Sequence, residues 1–195
     1  MGAAVNVERL KAAVLAHGFR WFDRGAYNLN LIGVRAAGKT AGLFDDALYC
    51  AYKVERMWRL HRWVITTDPG TRALARRETP TAILVSPQQC TQAYKIGLNR
   101  GRYPTLVQRG RPVLVWRDGN SDRVLDWGED SGVAGWYGIN IHRSQELTNR
   151  NTSASYGCQV FAVAAEHMAL MALARQSVEQ WGPRITYTLI DEADL

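Results

Sequence analysis

Between Ala47 and Val115 the chain breaks into short apolar runs, and this punctuation restricts the fold more than any other feature. The runs are Leu48–Tyr52, Met57–Ile65, Ala82–Val85, Tyr94–Leu98, Leu106–Gln108 and Val113–Trp116. They are rich in β-branched and aromatic residues, and Gly, Pro, Asn and Asp separate them. Runs of this length and composition predict strands, because a pleated, half-buried surface favours stiff, broad side chains. An earlier strand is predicted at Leu29–Val34 and a closing one at Arg184–Ile190. Only the two ends carry helical spacing. Val7, Leu10, Ala13, Val14 and His17 mark one face of a helix over residues 5–17, stopped by Gly18. Met168, Leu170, Met171, Ala174 and Val178 mark a second over Ala164–Trp181, stopped by Gly182-Pro183. The expected class is mostly β (α+β), with a helix at each end.

No internal repeat, low-complexity tract or linker divides the 195 residues, so one core is expected. The organisation read here is an N-terminal helical extension, 1–27, followed by one domain, 28–195. Hydrophobic residues make up 47% and charged residues 22%, which argues against disorder. The formal net charge of +6 comes mainly from arginine. It favours an anionic partner: nucleic acid, anionic lipid or an anionic cell wall. Cys50, Cys90 and Cys158 form no Cys-x-x-Cys pair, and an odd number leaves at least one thiol free. The set reads as reduced, hence as a product of the cytoplasm. The start of the chain shows no basic region leading into an apolar stretch, and no run approaches the ~20 residues of a membrane helix. Synthesis in the cytoplasm without a signal peptide and without a membrane span is expected.

The chemistry concentrates in Gly138-Ile139-Asn140-Ile141-His142-Arg143 and Ser155-Tyr156-Gly157-Cys158-Gln159-Val160. Alternation along the first segment points Ile139 and Ile141 one way, and Asn140 and His142 the other. In the second, Gly157 permits a sharp turn before Cys158, and Ser155 can tighten it. A thiol needs deprotonation to attack, and imidazole can supply the base. Chemistry alone leaves two readings open: a buried apolar cysteine with a structural histidine, or a nucleophile with its base.

These segments resemble the catalytic region of the L,D-transpeptidase domain family, in the divergent form common in phages and prophages. The resemblance rests on an apolar strand ending in Ile141-His142, the loop Ser144–Ala154, and Ser155-Tyr156-Gly157-Cys158, with a helix and a last strand behind. It extends over roughly residues 28–191, and turns such as Asp68-Pro69-Gly70 and Thr79-Pro80 fit it. It implies an L,D-transpeptidase-like β-sandwich or barrel. It implies that His142, oriented by a backbone carbonyl such as that of Arg143, deprotonates Cys158. The thiolate then attacks an L,D bond of a peptidoglycan stem peptide and forms a thioester. Gly157, Tyr156 and Ser155 would form the turn and oxyanion site, and Arg143, Asn140 and Gln159 would meet substrate. The chain departs from the family pattern at Tyr156, where a histidine is usual, at Val160, where arginine or asparagine is usual, and at Arg143. These departures fit water in place of an amine as acceptor. A hydrolytic enzyme of phage lysis, or one delivered to the wall, is the expectation. An exchange or cross-linking enzyme and a non-catalytic wall-binding module are the alternatives.

Other signals are weaker. Asp118, Asn120, Asp122, Asp126 and Glu129 fall at calcium-loop positions, but Arg123 replaces the required glycine. A hairpin joining Val115-Trp116 to Val124-Leu125 accounts for the same residues. His17, His61 and His167 show no metal-ligand spacing, and no cofactor or metal is expected. Arg72, Arg76, Arg77, Arg100, Arg102, Arg109 and Arg111 lie near Tyr94, Tyr103 and Trp116. Without a nucleic-acid-binding motif they read as an anion-facing surface, which makes nucleic acid an unlikely partner.

Overall fold

The structure is a computed structural model that describes residues 4–75, 80–128, 131–144 and 155–195. Helix α1 covers Val7–Ala16. The strands are β1 (Asn30–Arg35), β2 (Asp46–Val54), β3 (Met57–Thr66), β4 (Thr81–Leu84), β5 (Gln88–Asn99), β6 (Tyr103–Gln108), β7 (Val113–Asp118), β8 (Val133–Gly135), β9 (Ile141–Arg143), β10 (Gln159–Phe161) and β11 (Ile185–Asp191). A four-residue helix α2 (Thr71–Leu74) follows β3, and α3 (Ala164–Trp181) precedes β11. The protein is mostly β, as the punctuated runs predict. Among the described residues, no helix is long and apolar enough to cross a membrane.

Eight strands close into a barrel in the order β1-β11-β5-β6-β9-β10-β3-β2, while β4, β7 and β8 form a separate three-stranded sheet. Two pairings are parallel, β1 with β11 and β9 with β10. Closure leaves the barrel strands no free edge. The main core lies between the barrel wall, the small sheet and α3: Leu48, Cys50 and Ile65 meet Leu84 and Val115, then Leu170, Met171 and Ala174. At Gly33 a β-carbon would stand 1.8 Å from the Tyr187 hydroxyl, so only glycine lets that ring cross the barrel. Cys50, Cys90 and Cys158 are all free thiols, the first two buried.

The terminal helices follow the predicted bounds closely. In α1, Asn6 caps the first turn by accepting from the Arg9 N–H at 2.9 Å, and Gly18 takes the left-handed backbone past the end. Its Leu10, Ala13 and Val14 cover Ile32, Val34, Ala47 and Tyr49 on the outside of the barrel. The buried face of α3 is rotated from the predicted one. His167, Leu170, Met171, Ala174 and Ser177 are buried, whereas Met168 is 67% exposed. His167 enters the core because Thr105 gives its ring a hydrogen-bond partner at 3.2 Å.

The predicted hairpin between Val115-Trp116 and Val124-Leu125 does not form. β7 pairs with β4 on one side and β8 on the other. Leu125 instead drops into a small core with Ala41, Leu74 and Ile83, which pulls its segment away from β7. The acidic loop is tied to itself: Asn120 donates to Asp122 at 3.1 Å and to Asp126 at 2.6 Å. Glu129, Arg76, Arg77, Thr79 and most of the 144–154 loop lie outside the described residues.

Candidate functional site

The site is built where β9 and β10 run side by side, Gln159 opposite Ile141 and Val160 opposite His142. Ile139 and Ile141 enter the main core, as the alternation predicts. His142 takes the other face, 6% exposed but lining a cavity. Cys158 stands one residue before β10, and its Sγ accepts a hydrogen bond from the Asn140 N–H at 3.4 Å. Both side chains open on the same cavity of about 450 Å³, together with Asn140, Arg143 and Tyr156. That volume suits a ligand of a few residues.

His142 Nδ1 lies 2.9 Å from the Arg143 carbonyl. A carbonyl only accepts, so Nδ1 carries the proton and the lone pair is on Nε2. Burial is the main influence that lowers the imidazole pKa, the Arg143 carbonyl raises it, and the Arg100 charge lowers it again. Burial pushes the Cys158 thiol up, while the Asn140 N–H and Arg100 pull it back in part. At neutral pH both groups are therefore uncharged, and the thiol donates to the Gly138 carbonyl at 3.5 Å. An imidazole with its lone pair on Nε2 can take a thiol proton as sulfur attacks, which is general-base chemistry. In this structure the two share a cavity without a hydrogen bond between them, the thiol being turned to Gly138.

The turn before the cysteine is fixed by one hydroxyl. Ser155 Oγ accepts from the Gly157 N–H at 2.9 Å and donates to the Cys158 carbonyl at 3.0 Å. The Ser155 carbonyl in turn accepts from the Gly70 N–H at 3.1 Å, which ties the turn to the start of α2. Gly157 has φ +119°, and a β-carbon there would stand 1.7 Å from the Ala82 carbonyl oxygen. Glycine is required both for the backbone conformation and for the approach to β4.

Three expected roles change. Gly157 shapes the turn, but its amide is committed to Ser155 and is not offered to an oxyanion. Gln159 does not meet substrate. It is fully buried, accepts from the Tyr187 hydroxyl at 2.8 Å, and points into the barrel because it alternates with Cys158. Asn140 lines the cavity, yet its side-chain oxygen accepts from the Gln108 N–H at 3.0 Å, so that end holds β6. Cys158, His142, Arg143 and Tyr156 remain together at the cavity, Tyr156 42% exposed.

Tyr103 belongs to the same constellation, although the sequence presents it only as an aromatic among arginines. Its hydroxyl accepts from Asn99 at 2.8 Å and donates at 3.2 Å to the Arg143 carbonyl that holds His142. Its ring carries the Arg143 guanidinium at 4.4 Å. Tyr137 and Gln108 also line the cavity, and no spacing in the sequence singles them out. The remaining histidines are structural: His17 faces Asp194 at 3.1 Å, and His61 stacks between Tyr52 and Trp63. Among the described residues, no three metal-ligating side chains come together. Comparison with known proteins finds no family model that matches the chain, no similar curated protein and no similar solved structure.

Proposed function

We propose that this protein is a cysteine acyl-transfer enzyme that cleaves L,D bonds in peptidoglycan stem peptides, with water as the final acceptor. The observation that carries the reading is the placement of Cys158 and His142 on one cavity, with Nδ1 of His142 committed to a backbone carbonyl. The resemblance of the two segments to L,D-transpeptidases supplies the bond. The surplus of positive charge suits an anionic cell wall, whether the enzyme acts in phage lysis or after delivery.

In this mechanism His142 Nε2 takes the thiol proton as Sγ attacks the scissile carbonyl carbon. The tetrahedral oxyanion faces the amide of Cys158 rather than that of Gly157. Collapse breaks the C–N bond, and His142 returns the proton to the departing amine. A thioester remains. Water, losing a proton to the same imidazole, then adds to the thioester carbon and releases the acid and the thiol. An amine in place of water would give exchange or cross-linking by the same route.

The test is digestion of purified peptidoglycan by wild type and by Cys158→Ala, read by muropeptide masses. Products one water heavier and cut at an L,D bond are expected with wild type. Rebuilt peptide bonds would indicate transfer. The variant should lose at least about 10³-fold in rate, since attack needs the sulfur. Unchanged muropeptides with wild type would sink the enzyme reading.

A further inference from the structure

The cavity beside Cys158 has a cationic wall. Arg100 and Arg102 sit on the turn joining β5 to β6, Arg109 follows β6, and Arg143 ends β9, and all four line the cavity. Among the described residues, no aspartate or glutamate lines it, and none of the four arginines pairs with a carboxylate. Several of the neutral polar groups around them are already engaged. Gln108 donates to Gly135 and accepts from Tyr137 and Ile139, Asn140 accepts from Gln108, and Asn99 donates to Tyr103. The charged groups that a ligand entering here meets are therefore guanidinium groups.

One arginine is held by its side chain and another by its backbone. Arg143 lies on the Tyr103 ring. Arg100 occupies a left-handed backbone position, φ +49°, followed by Gly101 at φ +73°, and the turn is closed by the Arg102 N–H donating to the Asn99 carbonyl at 2.9 Å. A long side chain is uncommon in that conformation and costs free energy wherever it occurs. Arg100 lines the same cavity as Cys158 and His142, where its charge favours the thiolate and disfavours the imidazolium.

We propose that this wall is a carboxylate subsite, that the enzyme selects stem peptides whose carboxylates are free rather than amidated, and that Arg100 is the specificity-determining residue beside the nucleophile. The planar guanidinium fork matches carboxylate oxygens two by two. The same fork accepts phosphate, but the thiol and imidazole alongside act on an acyl carbon, which favours a peptide acid over a phosphate polymer. The inference rests on the cell-wall reading above, and binding to an inactive variant tests it apart from turnover.

The experiment is calorimetric titration of full-length Cys158→Ala with a synthetic stem tetrapeptide, once with free carboxylates and once fully amidated. The free acid should bind at least about tenfold tighter, the worth of one charge-assisted hydrogen bond. Adding Arg100→Gln should reduce the preference to within about twofold, and Arg100→Lys should retain part of it, both with unchanged circular dichroism. Arg20→Gln, away from the cavity, should leave it intact. Equal affinity for the two peptides, or an undiminished preference in Arg100→Gln, overturns the proposal. Tighter binding of a single-stranded oligonucleotide than of the free-acid peptide overturns it in favour of a nucleic-acid site. If the preference holds while wild type cleaves neither peptide, the subsite stands and the hydrolase reading falls.

Discussion

Tyr103 reaches three parts of the site at once: the Arg143 carbonyl, the Arg143 guanidinium and, edge-on, the His167 ring at 6.1 Å. Among the described residues its hydroxyl bonds to Asn99 and the Arg143 carbonyl and not to Cys158 or His142, so in the proposed mechanism its role is to position. Its hydroxyl and the His142 Nδ1–H share one acceptor. Removing the hydroxyl in Tyr103→Phe leaves that carbonyl to His142 alone, less fixed in place but a stronger acceptor. The expected result is a fall in kcat of about tenfold, because small misplacements of a base are costly. The acid limb of kcat/KM should also move. In wild type it should lie below the ordinary histidine value of about 6.5, since burial disfavours the charged ring. In the variant it should rise toward that value. A lower kcat with an unmoved acid limb would mean a merely structural role. The sequence contains Tyr103 in plain view, but its partners are forty positions away, and no local pattern can announce that.

The turn from Ser155 to Cys158 shows how an element is read from sequence in part. Glycine before cysteine predicts a sharp turn, and the turn is there. The second reason for glycine is tertiary: β4 comes within touching distance of its Cα. Gly157→Ala should therefore destabilise by about 3 kcal/mol, combining left-side backbone strain with the displacement of Ala82, and should cost activity as well. Thermal or urea unfolding checks this, and a shift under 0.5 kcal/mol would refute the clash. β9 and β10 are three residues each, too short for periodicity to define; Ile141-His142 was legible only because isoleucines alternate around it. The buried Arg35, Thr67 and Asp68 behind the turn were not legible at all. Arg35 Nε donates to Thr67 at 2.9 Å and faces Asp68 at 3.4 Å, while burial, only partly offset by Arg35, raises Asp68 to about 7. Pairing is what allows such charges inside, and pairing is settled by the barrel, not by neighbours in the chain.

For the whole molecule, the buried histidines set an acid limit. Burial lowers His167 to about 4, and it also lowers His142. The unfolded chain takes up protons near 6.5 that the folded protein refuses. The contribution is present in full above about 6.5 and is lost as pH falls through that value toward 4 and below. Asp68, raised instead of lowered, works in the opposite direction, so a comparison that leaves it constant is needed. Between pH 6.5 and 4.5 the melting temperature should fall more steeply in wild type than in His167→Gln. Parallel slopes would remove His167 from the account.

The sequence by itself determined the strand-rich class, the two terminal helices and their stops, the glycine turn before Cys158 and the direction of the Ile139–His142 segment. Each is a local matter of side-chain period, glycine conformation or capping. Only the tertiary structure decided that β1 closes on β11, that β7 joins β4 and β8 instead of Val124-Leu125, and that Gln159 faces inward to Tyr187. It alone set the arginines of the β5–β6 turn over the same cavity as the cysteine and histidine. Those outcomes depend on contacts between residues far apart in the chain, where burial and hydrogen-bond satisfaction outweigh local preference.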